Sequence, residues 1–311
     1  MKIVYFGTPE FVVPVLELLN KNHKVVLIVT ESAKPQGRGG KIIDSPIASY
    51  AQTHSLNIFT PEDFNPESID KILSLKPDFL IVAAYGRILP AKLVNSVETI
   101  NIHPSLLPKL RGPTPTQTAL LKGLKETGVS IMVLDEKMDH GPILVQQKVS
   151  IAEADNYLNL EPKLFKLGAE MLVKNLPLYK EGKLEPKAQD HSAATYTKLL
   201  KKEDGRIDWA KPAEEIFNQY RAYVKWPGVF TFFKNKNGQD VRLKLIQVEK
   251  CAISDIAHKP GEIFTDESKN LYIACAEGAI KLTRLQPENS KILSPTEFLN
   301  GYGYIVGQIL I

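Results

Sequence analysis

The sequence predicts a doubly wound α/β domain followed by a smaller β-rich domain, and three observations carry that expectation. Four near-continuous apolar runs rich in β-branched residues recur early: "KIVYFG" (2–7), "KVVLIVT" (24–30), "FLIVAAYG" (79–86) and "TINIH" (99–103). Such runs suit strands buried on both faces. Helix-like segments alternate with them, as in a parallel sheet flanked by helices. Beyond residue 223 the pattern changes to short alternating strands, "GVFTFF", "VRLKLIQVEK", "NLYIACA" and "AIKLTRLQ", split by turns rich in Gly, Asn and Asp. That is the pattern of a small barrel or sandwich.

The elements follow in order. Residues 9–22 read as a helix with Thr8 as N-cap and Pro9 at its first position, and Ser45 and Pro46 stand in the same relation to a helix over 45–55. A third helix covers 66–76. "GVSIMVLDE" (128–136) and "GPILVQQKVSI" (141–151) read as two strands around the turn "KMDHG". A periodic helix then closes the domain near Gly182, with Pro162 marking a break or a first turn. Residues 184–204 are polar, lack periodicity and read as a linker. A helix over 212–223 places Ala213, Ile216, Phe217 and Tyr220 on one face. The expected division is a first domain over 1–183, the linker over 184–204 and a second domain over 205–311.

Composition is that of an ordinary globular chain: 311 residues, 43% hydrophobic and 24% charged. The net charge of +4 permits contact with phosphates without demanding it. Cys251 and Cys275 show no C-x-x-C spacing and read as reduced thiols of a cytoplasmic protein, with a single disulfide as the alternative. "MKIVYFGTPEF" enters a strand directly, without the apolar region of a signal peptide. No apolar run approaches the ~18 residues of a membrane span.

The chemistry is expected at the end of the fourth run. Asn101 and His103 are two apart on a strand, so their side chains share a face. They stand at the carboxyl end of a sheet strand, where open α/β sheets bind ligands. An amide donor beside an imidazole can stabilise an oxyanion and handle a proton, or it can be a structural pair. Asp139, in the tight turn before Gly141, can orient a histidine or make an Asx-turn. Together the three form a plausible set for acyl transfer, with His140 read as a surface residue. Competing motifs fit less well. Ser105 lacks the G-x-S-x-G elbow of a hydrolase. His103, Asp139 and His140 lack metal-site spacing, and "FGTPEF" is not G-x-G-x-x-G. "KPQGRGGK" (34–41) is no P-loop, but a basic Gly-rich loop can grip phosphates or simply be solvated. "AYGRILP" (84–90) can wall a cleft or only enter a helix.

The strings "GTPEF", "KPQGRGGK…SPI", "AYGRILP", "NIHPSLLPKLRG", "ETGVSIMVLDEKMDHGPIL", "RIDW" and "YRAYVKWPG" occur in this order. With them the sequence resembles the methionyl-tRNA formyltransferase family essentially end to end. N-x-H-x-S-L-L-P with the later D-x-G is shared by folate-dependent formyltransferases. "GRGGK…SP" and "RIDW…RA…WPG" point to the tRNA-specific members. The resemblance implies a Rossmann-like catalytic domain and an OB-like C-terminal barrel that contacts tRNA. It implies 10-formyltetrahydrofolate as formyl donor, the α-amine of methionyl-initiator-tRNA as acceptor, and no metal. It makes Asn101, His103 and Asp139 catalytic. It sets Tyr85, Gly86 and Ile88, with Ser105, Leu106, Leu107 and Pro108, against the folate. It gives Phe11 to the methionyl side chain, and Lys34, Arg38, Gly39 and Lys41 to the tRNA. A cytoplasmic monomer without membrane contact is expected.

Two departures stand out: Pro104 replaces a small residue, and "GPTPTQTA" replaces the usual "GAAPIQ". Residues 186–311 hold 18 Lys and Arg against 15 Asp and Glu, which is weakly basic for a tRNA surface. Two rival functions remain. One is a folate formyltransferase for a purine ribonucleotide or amino sugar, which would need neither "GRGGK" nor the second domain. The other is a non-catalytic tRNA-binding protein, against which the intact triad argues.

Overall fold

The computed structural model describes residues 1–36, 40–251 and 258–311. Strands β1 (Lys2–Gly7), β2 (Lys24–Val29), β3 (Lys34–Gln36), β4 (Lys41–Ile43), β5 (Ile58–Phe59), β6 (Phe79–Ala83) and β7 (Thr99–His103) lie in the first third. Helices α1 (Val13–Asn22), α2 (Pro46–Thr53), α3 (Pro66–Ser74) and α4 (Ala91–Ser96) are interspersed with them. α5 (Pro115–Leu121), the hairpin β8 (Glu126–Val133) and β9 (Ile143–Ser150), and α6 (Tyr157–Lys180) follow.

One sheet takes seven of these strands in the order β5-β2-β1-β6-β7-β8-β9. β5, β2, β1, β6 and β7 are parallel, β8 is antiparallel to β7, and β9 is antiparallel to β8. Every residue of β6 and β7 is buried. This is why β6 runs apolar without alternation, while β7 alternates Ile100 and Ile102 with the polar Thr99, Asn101 and His103. The strand order reverses between β1 and β6, and such a switch point opens a ligand crevice at the carboxyl ends of the strands. Gly168 lets α6 approach β7 closely. A Cβ there would stand 2.4 Å from Ile102 Cγ2 and 3.2 Å from Val129 Cγ1, so any larger residue would push the helix off the sheet.

Several expectations are corrected. Thr8 and Pro9 do not open α1: a 3-10 turn covers Glu10–Val12 and the helix begins at Val13. The Thr8 hydroxyl instead donates to the carbonyl of Tyr85 (3.2 Å), joining the loops that follow β1 and β6. α6 runs through both Pro162 and Pro177 without a break. β8 ends at Val133 and β9 starts at Ile143, so the turn between them is a nine-residue loop. "KPQGRGGK" is in part a hairpin, with Lys34 paired to Ile43 and Gln36 to Lys41.

Contacts group the chain into two units that are discontinuous in sequence. The first is Met1–Thr116, Lys125–Ile151 and Asn159–Lys198, and the second is Gln117–Leu124, Ala152–Leu158 and Leu199–Ile311. In the second, α7 (Ala213–Tyr223) precedes β10 (Val229–Lys234), β11 (Asp240–Cys251), β12 (Ile263–Thr265), β13 (Leu271–Ala274) and β14 (Ala279–Pro287), and α8 (Pro295–Tyr302) follows. The five strands form an antiparallel sheet in the order β10-β11-β14-β13-β12. The last residues close it. Ile311 exchanges both main-chain hydrogen bonds with Phe232 on β10, while Gly307 and Gln308 pair with Ile263 on β12. Both exposed edges are thereby covered. α7 buries Ala213 and Ile216 and also two polar residues, Asn218 and Arg221. Arg221 Nη1 donates to the carbonyls of Ala152, Glu153 and Asp155, and its Nη2 to Asn218 Oδ1 (2.6 Å), which satisfies most of a costly buried guanidinium. Both cysteines are free thiols. Among the described residues, no helix is long and apolar enough to cross a membrane.

Candidate active site

The site lies at the carboxyl end of β7, in the first unit. Asn101 pairs with Val82 of β6 and Met132 of β8, which fixes its height in the sheet. His103 pairs with Ser130. Their side chains share a face, and both residues are buried, at 9% and 4% exposure. Among the described residues the Asn101 amide has no side-chain partner, so its donors are open to a ligand. His103 is oriented from behind by Nε2, 3.0 Å from the carbonyl of Leu110. A carbonyl only accepts, so Nε2 carries the proton and Nδ1 is the nitrogen left for chemistry.

Nδ1 lies 3.6 Å from Asp139 Oδ1. That is too long for a hydrogen bond, and the contact is an ion pair only when His103 is protonated. The hairpin β8–β9 makes this meeting possible, because its loop returns over the strand ends. Asp139 sits there in the left-handed region (φ 49°), which Asp tolerates better than most residues. Its second oxygen, Oδ2, accepts the backbone N–H of Gly112 (2.7 Å). Gly112 has φ 108°, and a Cβ there would stand 2.7 Å from Thr197 Oγ1, so the position demands glycine.

The segment after His103 is held by one hydroxyl. Ser130 Oγ donates to the carbonyl of Ser105 (2.6 Å) and accepts from Leu107 N (3.1 Å) and Gln146 Nε2 (2.8 Å). This uses its one donor and both lone pairs. Gln146 also donates to the carbonyl of Leu107 (2.8 Å), and the Leu107–Pro108 peptide is cis. Ser105 is fully buried and donates to the carbonyl of Lys109, so it is a turn residue and not a nucleophile.

The other expected residues are distributed unevenly. Tyr85 is buried in the core against Phe6 and Phe64, so its side chain belongs to the packing beneath the crevice. Gly86 has φ 81° and Ile88 is 81% exposed. Leu106 and Pro108 are half-buried and Leu107 is buried. The Phe11 ring lies tilted against that of Phe165, with centroids 5.1 Å apart. Lys34 pairs with Glu31, and Lys41 is exposed on β4. Arg38 and Gly39 lie outside the described residues. His140, expected at the surface, is half-buried. It contacts Asp135 Oδ2 (2.6 Å) and stacks on His191 at 3.9 Å.

Sequence reasoning missed the polar support of the site. Arg87 donates to the carbonyls of Pro61 and Glu62, tying down the loop after β6. Residues 187–198, expected within a linker, are hydrogen-bonded throughout to the first unit. Lys187 exchanges two main-chain bonds with Ile143, and Thr195 and Thr197 pair with Pro108 and Arg111. The second unit has an open cavity of about 490 Å³ lined by Arg206, Asp208, Trp209 and Pro260, which contains none of the candidate residues.

Comparison with known proteins identifies the family. The family described as "Formyl transferase" matches residues 1–176, and "Formyl transferase, C-terminal domain" matches 199–303. The methionyl-tRNA formyltransferase of Carboxydothermus hydrogenoformans is 41% identical, covering 99% of this chain and 99% of its own length. That of Geobacter sulfurreducens is 37% identical, covering 97% and 94%. Two solved structures share the fold. HypX from Aquifex aeolicus, in complex with tetrahydrofolic acid, has a TM-score of 0.65 at 18% identity and covers 98% of this chain and 48% of its own. WlaRD, a sugar 3N-formyl transferase, has a TM-score of 0.65 at 20% identity, covering 94% and 99%. With both parts of its length matched and relatives near 40% identity end to end, the chain belongs to the methionyl-tRNA formyltransferase family.

Proposed function

We propose that this chain transfers the formyl group of 10-formyltetrahydrofolate to the α-amine of methionine on initiator tRNA, releasing tetrahydrofolate and N-formylmethionyl-tRNA. The observation that carries the reading is the convergence of Asn101, His103 and Asp139 at the switch-point end of the sheet. The deprotonated amine attacks the formyl carbon and the carbonyl oxygen becomes an oxyanion. The Asn101 amide supplies a buried donor for that charge, and such donors act strongly where water is excluded. His103 Nδ1 and the Asp139 carboxylate take up the proton released by the amine. Collapse of the intermediate breaks the bond to N10, which leaves with a proton. The steps balance without a metal. A reference α-amine titrates near ~7.7–8.0, so a nearby base raises the fraction ready to attack at neutral pH.

The loop held by Ser130 sets Ser105, Leu106, Leu107 and Pro108 against the folate, with Gly86 and Ile88 on the other wall. Phe11 contributes to the methionyl pocket, and Lys34, Arg38, Gly39 and Lys41 meet the acceptor stem. Full-length similarity to methionyl-tRNA formyltransferases supports this acceptor over a nucleotide or sugar amine. The test supplies formyl-labelled 10-formyltetrahydrofolate with charged initiator tRNA, charged elongator tRNA, and amino-sugar and purine-ribonucleotide acceptors. Label on initiator methionyl-tRNA alone supports the proposal, and label on a small amine instead overturns it.

A further inference from the structure

The guanidinium of Arg111 is buried (1% exposed) and no carboxylate lies within ion-pair distance of it among the described residues. Its Nε and Nη2 both donate to Gln189 Oε1, at 3.2 and 2.6 Å. Nη2 also meets His191 Nδ1 at 2.9 Å. A guanidinium cannot accept, so His191 receives that bond as a neutral ring. Gln189 is itself buried (7% exposed), and its amide faces the other way. Nε2 donates to the carbonyl of Asp139 (3.0 Å) and to the carbonyl of Gly141 (2.6 Å). One side chain therefore joins a buried cation to the two carbonyls flanking the turn that carries the candidate carboxylate. The segment holding Gln189 is pinned on both sides, through Lys187 to Ile143 and through Thr195 to Arg111.

We infer that Gln189 is a positioning residue for Asp139, whose left-handed main chain it clamps so that the carboxylate faces His103. The inference rests on the reading of Asp139 as part of the reacting set. Asp139 holds an unfavoured backbone conformation, and such conformations persist where their surroundings over-determine them. Two amide hydrogens on carbonyls two residues apart are a restraint of that kind. Gln189 is buried and its amide is spent on Arg111, Asp139 and Gly141.

Gln189→Glu separates the two halves of the clamp. A carboxylate would bind the Arg111 fork at least as well as the amide oxygen does, and would neutralise a buried charge. It would also remove both donors and turn an oxygen toward the carbonyls of Asp139 and Gly141. A residue that merely satisfies Arg111 predicts a stable, fully active variant. The clamp predicts KM unchanged for both substrates and kcat lower by about tenfold to a hundredfold, since small misplacements of reacting groups cost that much, while in the melting temperature the two carbonyls left without donors work against the gain at Arg111. Because Gln189 acts through Asp139, Gln189→Glu should cost little more once Asp139→Asn is present. Should the Glu variant fail to fold, Gln189→Met, of similar volume and without either set of bonds, goes through the same cycle. Unchanged kcat, or a loss that adds in full to that of Asp139→Asn, overturns the inference. Full turnover in Asp139→Asn alone overturns the reading of the site instead.

Discussion

Ser130→Ala removes one buried hydroxyl and with it two hydrogen bonds to the segment proposed to hold the folate and a third to Gln146. The Leu107 N–H and the Ser105 carbonyl lose their partner, while Gln146 keeps its bond to the Leu107 carbonyl. Each polar group left buried without a partner costs about 1–3 kcal/mol. Two such groups set an upper range of about 2–6 kcal/mol. Leu106 and Pro108 are half-buried, so the loop can shift to reach water and recover part of that cost. If about 2 kcal/mol of it appears as lost preorganisation, the Kd for tetrahydrofolate rises about thirtyfold. Titration calorimetry measures that Kd, and single-turnover formyl transfer at saturating donor measures the chemistry. The rate at saturation should stay within a few-fold of wild type, because Asn101, His103 and Asp139 are untouched. A lowered melting temperature with unchanged folate affinity would refute the reasoning, since the Ser105–Pro108 segment would then not be part of the folate site.

Two further outcomes are expected. The pKa of His191 is lowered from 6.5 by desolvation and then by the charges of His140 and Arg111, so the folded state resists its protonation. The unfolded chain then binds more protons in the window below about pH 6.5, and stability falls as pH drops through it. His191→Gln keeps an acceptor for Arg111 but cannot titrate, and should flatten the fall in melting temperature between about pH 7.5 and about 5.5; an unchanged slope would remove His191 from that dependence. Arg38→Ala should weaken use of charged initiator tRNA, leave folate affinity unchanged and reduce the salt dependence of tRNA binding by about one unit of slope. Unchanged kinetics with charged tRNA would take Arg38 out of tRNA recognition.

What the sequence disclosed follows from how each feature is encoded. The central strands were legible because burial on both faces writes itself as long apolar runs in β1 and β6. The shared face of Asn101 and His103 was legible because a strand has period two. Their grouping with Asp139 was read only as a plausible set, because the meeting depends on the antiparallel return of β8 and β9, which no local spacing specifies. The segment 187–198 was misread for a related reason. Its order comes from main-chain hydrogen bonds and from one buried amide, Gln189, and polar residues in a loop leave no periodic trace. The C-terminal residues that close the second sheet are likewise too short a stretch to show alternation. Thr8 failed as a cap because its hydroxyl is spent on the neighbouring loop.

The central claim is that the buried amide and imidazole at the end of β7 perform the chemistry. The most direct measurement is the single-turnover rate of formyl transfer to charged initiator tRNA for Asn101→Ala and His103→Ala, with donor and acceptor saturating and donor affinity measured in parallel. The account predicts a fall of about 10²–10³ in the rate for Asn101→Ala, the loss typical of one preorganised oxyanion donor, a large fall for His103→Ala, and folate affinity retained in both. Rates within a few-fold of wild type in both variants would contradict it.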